Sequence, residues 1–545
     1  RKRPPKNATA RQNRMPTVST DAAVPVRSFQ PPRAPGYTLV VLLVIAMVAT
    51  LPFYVPAHLG HDDDDVHASA GVRHASWSLQ GMFERYCNPP FGGEEGILPQ
   101  TTAGANAGTD RQPAQLIQVQ VLLRHGARSP ISVLPGSFAD QHTFFCDLSS
   151  EVEFRVEHWP ETFRVSDATS GRKKHREWRP ALVASSGNAT CMPGQLVDVG
   201  YQQHFAIGQH LRRSYGKAFK NWSWSLLSPL PSSVYARSTD YGRTRASLAA
   251  FLDELLELSQ SYAHLRQGLP VHMEVYEQKE EEVMLGVGLH ASARGTNEGS
   301  QVGGSAAKDG TETDGPCPRA TWLHSKQAAA FAPARGIMRE LKRLFGPAIE
   351  HMTVTQVADV IYSRSCDRGT LPCGFGGCMS VPLAWRILKD VDRLFCERYT
   401  GRKGGADSTR LAFQPFMAEI VERMRTVSEA QDATGPTPQI VAFGGHDTVI
   451  APIAAALGFF DCKWPPFASR IVFELWRQPS GKMSVRVLFN GKPVTGLIPG
   501  CGSGELCPLV AFERHVQQLL DGHSSFEAAC RLNDREVGNE LRLSK

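Results

Sequence analysis

Residues Leu116 to Pro130 read LIQVQVLLRHGARSP, and the place where the strand stops within this stretch decides what the chain can be. The run LIQVQVLL is short, rich in β-branched residues and preceded by Pro113, which predicts a buried strand. Side chains alternate between the faces of a strand, so Arg124 and His125 face one pocket only if the strand ends there. Gly126 supplies a turn that brings them together. In open α/β sheets ligands bind outside the carboxyl ends of the strands, where this segment would lie. Arginine offers a permanently charged planar fork of donors that matches phosphate oxygens. An imidazole between two such cations favours its neutral form, which leaves a ring nitrogen free to attack phosphorus. The competing reading is a strand that simply ends in solvated basic residues.

A second segment points the same way. Gln439 to Gly444 (QIVAFG) reads as a strand after the turn-forming TGPTP, and it runs into Gly445, His446 and Asp447. Thr448 is expected to cap a helix through Leu457, with Pro452 near its first turn and Gly458 as its stop. His446 and Asp447 then lie at a helix N-terminus, which attracts anions. Asp447 can carry the proton that an alcohol leaving group needs, although a His-Asp pair is also common as a capped turn. The third segment is VYARSTDYGRT, with a strand at Val234 to Ala236 and Ser238 or Thr239 capping the next helix. Leu248, Phe251, Leu252, Leu255 and Leu256 follow at core-facing helical spacing. Taken alone, Arg237 reads as a surface arginine.

Together, RHGxRxP, the arginine of RSTD and the late HD pair resemble, in order as well as in letters, the histidine acid phosphatase family of the histidine phosphatase superfamily. The resemblance implies an α/β fold: a doubly wound, mostly parallel sheet with an inserted, mainly helical cap domain. It implies a phosphomonoesterase in which His125 is the nucleophile and Asp447 protonates the leaving oxygen and then helps activate water. Arg124, Arg128, Arg237 and His446 would hold the phosphoryl oxygens, with no metal and no cofactor. The stretch CMPGQLVDVGYQQHFAIGQHLRRSYG resembles the family's GxLTxxG helix, with Val197 in place of threonine. RIVFELWRQPSGKMSVRVLFNGKPV resembles its late paired strands.

Four further pieces narrow the likeness to a Golgi member of the family that dephosphorylates xylose in the glycosaminoglycan linkage region: YCNPP, LPCGFGGCMS, FASRIVFELW and Cys507-Pro508-Leu509. The likeness spans roughly residues 84 to 535. It implies phosphorylated xylose of the proteoglycan linkage region as the partner, with the xylose kinase and the linkage glycosyltransferases as neighbours. A broad lysosomal-type acid phosphatase and an inactive Golgi glycan-binding protein are the alternatives.

Topology is expected to follow from the N-terminal region. Tyr37 to Val55 is almost continuously apolar, about the length that spans a bilayer. Eight basic residues, Arg1 to Arg33, against Asp21 alone precede it, and Asp62 to Asp65 follow. The positive-inside bias then predicts a single-pass type II protein with the bulk of the chain in the Golgi lumen; a cleaved signal peptide is the competing reading. This tail alone carries +7, and the formal net charge of the whole chain is +6, so everything after it is close to neutral and the basic balance gives no support for nucleic-acid binding.

All 12 cysteines lie after the apolar segment, which predicts lumenal disulfides of unspecified pairing. Cys366, Cys373 and Cys378 raise the question of zinc, but they lack paired spacing and a nearby histidine. Asn188 and Asn221 head sequons suited to lumenal glycosylation. Residues 57–113 are expected to form a stem, 114–545 the catalytic domain, and the Gly- and Ser-rich stretch within Lys279 to Asp314 a disordered insertion. In the stem, His58, His61, Asp62 to Asp65 and His67 read as solvated rather than metal-binding. The basic run Arg172, Lys173, Lys174, His175, Arg176 and Arg179 reads as a solvated cap loop, with an acidic glycan as the alternative ligand.

Overall fold

The computed structural model describes residues 79–97, 114–137, 191–221, 234–256, 271–276, 317–328, 335–402, 404–429 and 439–532, with short pieces between 144 and 177 and between 281 and 286. All fall in the compact unit His74–Lys545. The basic tail, the apolar segment Tyr37 to Val55 and Asn188 lie outside the described residues, as does the side chain of Asn221. Among the described residues no helix is long and apolar enough to cross a membrane.

The strands are β1 (Gln115–Arg124), β2 (Phe163–Asp167), β3 (Lys174–Glu177), β4 (Val234–Thr239), β5 (Val271–Tyr276), β6 (Cys373–Gly374), β7 (Gly377–Cys378), β8 (Ile440–Gly445), β9 (Arg470–Arg477), β10 (Met483–Phe489), β11 (Lys492–Pro493) and β12 (Cys507–Pro508). The main sheet runs β11-β10-β9-β1-β8-β4-β5-β2-β3, with β12 against β10. From β1 through β8, β4 and β5 to β2 the pairings are parallel. β9, β10 and β11 continue the sheet antiparallel on one side, and β3 closes the other. The sheet is therefore mixed where a mostly parallel one was expected. The late hairpin docks directly on β1, and strands joined by a turn as short as Gln478–Lys482 can only pair antiparallel.

β1 is buried on both faces because helices cover both. Leu122 packs with Phe416, Phe443 and Phe473, under the helices Gly405–Glu429, Asp447–Ala456 and Leu509–Gln518. Val119, Val121 and Leu123 pack with Leu248, Phe251 and Leu252, under the helices Asp198–Asn221 and Gly242–Leu256. Each such side chain contributes about 1.5–3 kcal/mol on burial, so the strand carrying the RHG segment is held firmly along its length.

The helices inserted between β5 and β8 build a third core. Ile361, Leu388 and Phe395 meet Tyr86, Trp464 and Phe467 there. The helix Val354–Arg368 starts on a Thr353–Gln356 capping box and stops at Gly369 in the left-handed conformation. Six disulfides use every cysteine: Cys87–Cys366, Cys146–Cys191, Cys317–Cys530, Cys373–Cys378, Cys396–Cys462 and Cys501–Cys507. Cys366, Cys373 and Cys378 thus have no thiolate left for a metal.

Three sequence expectations need correction. Residues 79–97 belong to the catalytic body rather than to a stem: Cys87 is bonded to Cys366, and buried Glu95 binds Arg470 through Oε1. The stretch expected to be disordered is ordered near its start, where Glu281 is buried and Met284 sits in the core; residues 287–314 lie outside the described residues. Lys174–Glu177 of the basic run is an edge strand on β2, not a cap loop. Composition missed the first two because the residues are held by partners far away in sequence, and the third because a run of basic residues carries no signal of the hairpin it forms with β2.

Candidate active site

The strand ends where the sequence reading places it. Arg124 is the last residue of β1, and the next backbone N–H, of His125, donates to the Gly445 carbonyl at 3.0 Å. That one bond sets the end of β1 beside the end of β8, and the His125 and His446 rings lie 5.5 Å apart. Gly126 is needed for closeness: a Cβ there would stand 2.4 Å from the Gly200 carbonyl oxygen, and one on Gly200 would stand 2.2 Å from that of Ala127. The two glycines let the HGA turn lie against the first turn of the helix Asp198–Asn221, in the segment that resembles GxLTxxG.

His125 is almost wholly buried and its Nδ1 lies 2.9 Å from the Gly126 carbonyl. A carbonyl only accepts, so the proton of the neutral ring sits on Nδ1 and Nε2 keeps its lone pair. Burial first, then the charges of Arg124, Arg243 and Arg128, hold the imidazole well below the usual histidine range. The neutral form of His125 is therefore the resting form.

The two flanking arginines are fixed in different ways. Arg124 donates to Asp447 Oδ2 at 2.9 Å, and its guanidinium lies 4.5 Å from the Phe467 ring centre. Arg128 donates to Asp359 Oδ1 at 2.8 Å and to the Ser129 carbonyl, while Asp359 Oδ2 accepts from the Ile131 N–H. Each guanidinium is thereby oriented before any ligand arrives, which limits reorganisation during a reaction.

His446 and Asp447 open the helix Asp447–Ala456. The N-cap is His446, where Thr448 was expected, and its ring turns away from capping to place Nε2 3.0 Å from Thr239 Oγ1. Burial first, then Arg243, keep His446 well below the usual range, and Asp447 works in the opposite direction. Asp447 is the more open of the two, its side chain 15% exposed. Burial raises its pKa, but Arg124 and a hydrogen bond from Trp464 outweigh that and bring the carboxyl below its ordinary value. Asp447 is an anion in the resting site.

Arg237 is not brought to this centre. β4 extends through Thr239 instead of stopping at Ala236, so neither Ser238 nor Thr239 caps a helix. Arg237 stands two residues back from Thr239, roughly 6.6 Å along the strand. Its guanidinium there binds Glu281 through Nη2 at 2.7 Å and Glu419 through Nη1 at 2.9 Å, 4.2 Å from the Tyr276 ring centre. The arginine the sequence reading missed is Arg243, in the first turn of the helix Gly242–Leu256. Its charge bears on both His125 and His446, and its guanidinium lies 4.5 Å from the ring of Tyr241, which packs edge-on to His446. The signal was available: RSTDYGRT holds two arginines, and the one just past a strand-end turn, at a helix start, is the better placed for an anion.

A neutral imidazole with an unprotonated Nε2, arginine charges around it and a carboxylate at its edge are the parts of a phosphoryl-transfer site. The sequence matches the profile described as Histidine phosphatase superfamily (branch 2) over residues 115–328 and 384–490, more than half of the chain. The chain belongs to this family. Among curated relatives, lysophosphatidic acid phosphatase type 6 of Mus musculus is 25% identical over 447 residues, covering 76% of this chain and 88% of that protein. 2-Phosphoxylose phosphatase 1 of Xenopus tropicalis is 24% identical over 466 residues, covering 81% and 80%. Among solved structures, the apo phytase of Hafnia alvei aligns with 78% of this chain and 100% of its own at 16% identity and a TM-score of 0.43. This histidine phosphatase is a phosphomonoesterase, and the matched residues 115–328 and 384–490 include the β1, β4 and β8 segments that build its site.

Proposed function

We propose that this phosphatase removes the 2-phosphate from xylose in the glycosaminoglycan-protein linkage region, through a phosphohistidine on His125. The observation that carries the chemistry is the Nδ1–Gly126 bond, which leaves Nε2 as the unprotonated atom in a ring of guanidinium charge. Nε2 attacks phosphorus as the ester P–O bond breaks, and Asp447 passes its proton to the departing sugar oxygen. Water then attacks the phosphohistidine, gives a proton back to Asp447, and the P–N electron pair returns to Nε2. Arg124, Arg128 and Arg243 oppose the charge on the transferring group throughout, and His446 lies at its side.

Because Asp447 rests as a carboxylate, its proton has to arrive with the ester in monoanionic form. The nucleophile, by contrast, stays neutral as the pH falls through 6.5, since its pKa is depressed. kcat/KM is therefore expected to persist well below pH 6.5 and to decline above about pH 6, where a phosphate monoester loses its second proton. A pH–rate profile with an acid limb near 6.5 would show that His125 is an ordinary histidine and remove this account.

The xylose assignment rests on the likeness to 2-phosphoxylose phosphatase 1 and on the sequence pieces that narrow the resemblance. A Golgi lumenal site, reached through the apolar segment Tyr37 to Val55, belongs to the same reading. The test is a comparison of kcat/KM on a linkage oligosaccharide bearing 2-phosphoxylose, on lysophosphatidic acid and on an aryl phosphate. The phosphorylated xylose is expected to lead by at least about tenfold, a difference of 1.4 kcal/mol in transition-state binding. A lead for lysophosphatidic acid transfers the assignment to the lipid, and a wide lead for the aryl ester makes the enzyme a broad acid phosphatase.

A further inference from the structure

Asp447 receives three donors, and they are unevenly shared. Oδ2 accepts both Arg124 Nη2–H at 2.9 Å and Trp464 Nε1–H, whereas among the described residues Oδ1 accepts only the Thr448 backbone N–H at 2.8 Å. A carboxylate oxygen has about two lone-pair sites, and neither an indole N–H nor a guanidinium can accept a hydrogen bond. A proton on Oδ2 would be forced against two N–H groups, while Oδ1 has a site left over.

We propose that Trp464 is a positioning residue that, with Arg124, occupies Oδ2 and so confines the catalytic proton of Asp447 to Oδ1, and that this determines whether poor, alkoxide-type leaving groups can be expelled. The inference rests on the role given above to Asp447 as proton donor. In the first step Oδ1–H passes to the ester oxygen as the P–O bond breaks and the P–Nε2 bond forms. In the second, the proton of the attacking water returns to Oδ1 as the P–N bond breaks and its electron pair goes back to the imidazole.

Trp464 is held as a positioning group should be. Its ring is 3% exposed and lies between Tyr362 and Phe395, with ring centres at 5.1 and 5.4 Å and interplanar angles of 19° and 25°. Its backbone N–H donates to Asp392 Oδ1 at 2.8 Å, and Asp392 Oδ2 accepts the Tyr86 hydroxyl at 2.8 Å. Two residues earlier, Cys462 is bonded to Cys396 on the helix Val381–Thr400. The following carbonyl, of Pro465, accepts from Arg124 Nη1, so one short loop sets both donors on Oδ2. A group fixed by packing and outer hydrogen bonds holds its partner to a single geometry.

The chemistry makes the role separable from simple stability. An aryl oxide leaves without much help from an acid, whereas a sugar or glycerol alkoxide does not, and general acid catalysis contributes about 10²–10⁴-fold. The experiment compares the intact enzyme with Trp464→Phe and Trp464→His on glycerol 2-phosphate and on p-nitrophenyl phosphate. Trp464→Phe is expected to lower kcat on glycerol 2-phosphate by roughly 10²-fold while the aryl ester loses less than about threefold and KM stays close to its original value. Trp464→His, which keeps a ring N–H, is expected to recover most of the loss. The alkaline limb of the alkyl-ester profile is expected to move upward in Trp464→Phe, since one of the donors that lower the Asp447 carboxyl is gone and the general acid keeps its proton to higher pH. If the ring cannot be changed without unfolding, Asp392→Asn keeps the indole and loosens only its backbone anchor, and the same ordering of substrates is expected with a smaller loss. Equal losses on both esters, or none on either, overturn the proposal. A loss of the phosphohistidine assignment would appear separately, as unchanged turnover in His125→Ala.

Discussion

His125→Ala is expected to abolish phosphate release from every ester, with a fall in kcat on the order of 10⁴–10⁶-fold, because it removes the Nε2 on which the covalent intermediate forms. The imidazole is buried, and its Nδ1–H is tied to the Gly126 carbonyl. Neither Arg124 nor Arg128 can substitute as a nucleophile, since guanidinium stays protonated. Rapid acid or alkaline quench during turnover of a phosphorus-labelled aryl ester measures the intermediate directly. The parent enzyme should show an acid-labile, alkali-stable phosphoenzyme and His125→Ala none. Retention of label in His125→Ala would move the nucleophile elsewhere, and His446, whose ring lies 5.5 Å away, would be the first place to look. An enzyme that binds the ester but releases nothing even before mutation would instead be the inactive glycan-binding protein.

The second large effect separates two arginines only six positions apart. Arg243→Ala is expected to lower kcat/KM by roughly 10²–10³-fold, the loss typical of one preorganised donor on a charged transition state, with little change in stability. Arg237→Ala should do the reverse. It leaves Glu281, whose side chain has no exposure, without its 2.7 Å partner, and an uncompensated buried carboxylate costs about 3–5 kcal/mol. Activity per folded molecule should stay within about tenfold. Thermal unfolding and steady-state kinetics on the same two preparations decide the matter. If Arg237→Ala loses activity while remaining stable, the phosphate contact returns to Arg237 and the proposed role of Arg243 falls.

That contrast shows where reading the sequence reached its limit. The strand of LIQVQVLL, the termination at RHG, the second strand into His446-Asp447 and the core positions Leu248 to Leu256 are local. β-branched runs, a helical apolar period and glycine punctuation report directly on the backbone, and the structure has them within a residue or two. Arg237 stands in the tetrapeptide RSTD, and a tetrapeptide does not say how far a strand continues. Once β4 runs through Thr239, the arginine inside it is paired with carboxylates from two distant segments, and the one beyond the turn comes within reach of the two histidines.

From the sequence alone came the reaction: a histidine set among arginines at a strand end, with a late His-Asp pair, is enough for phosphate chemistry because each group acts through its own charge and lone pairs. The tertiary structure decided which oxygen, nitrogen and arginine do the work. Nδ1 is turned to Gly126 and Oδ2 is filled by Arg124 and Trp464, while Arg237 is taken up by Glu281 and Glu419. Hydrogen bonds join residues up to several hundred positions apart, and no local pattern in a chain records which donor will meet which acceptor.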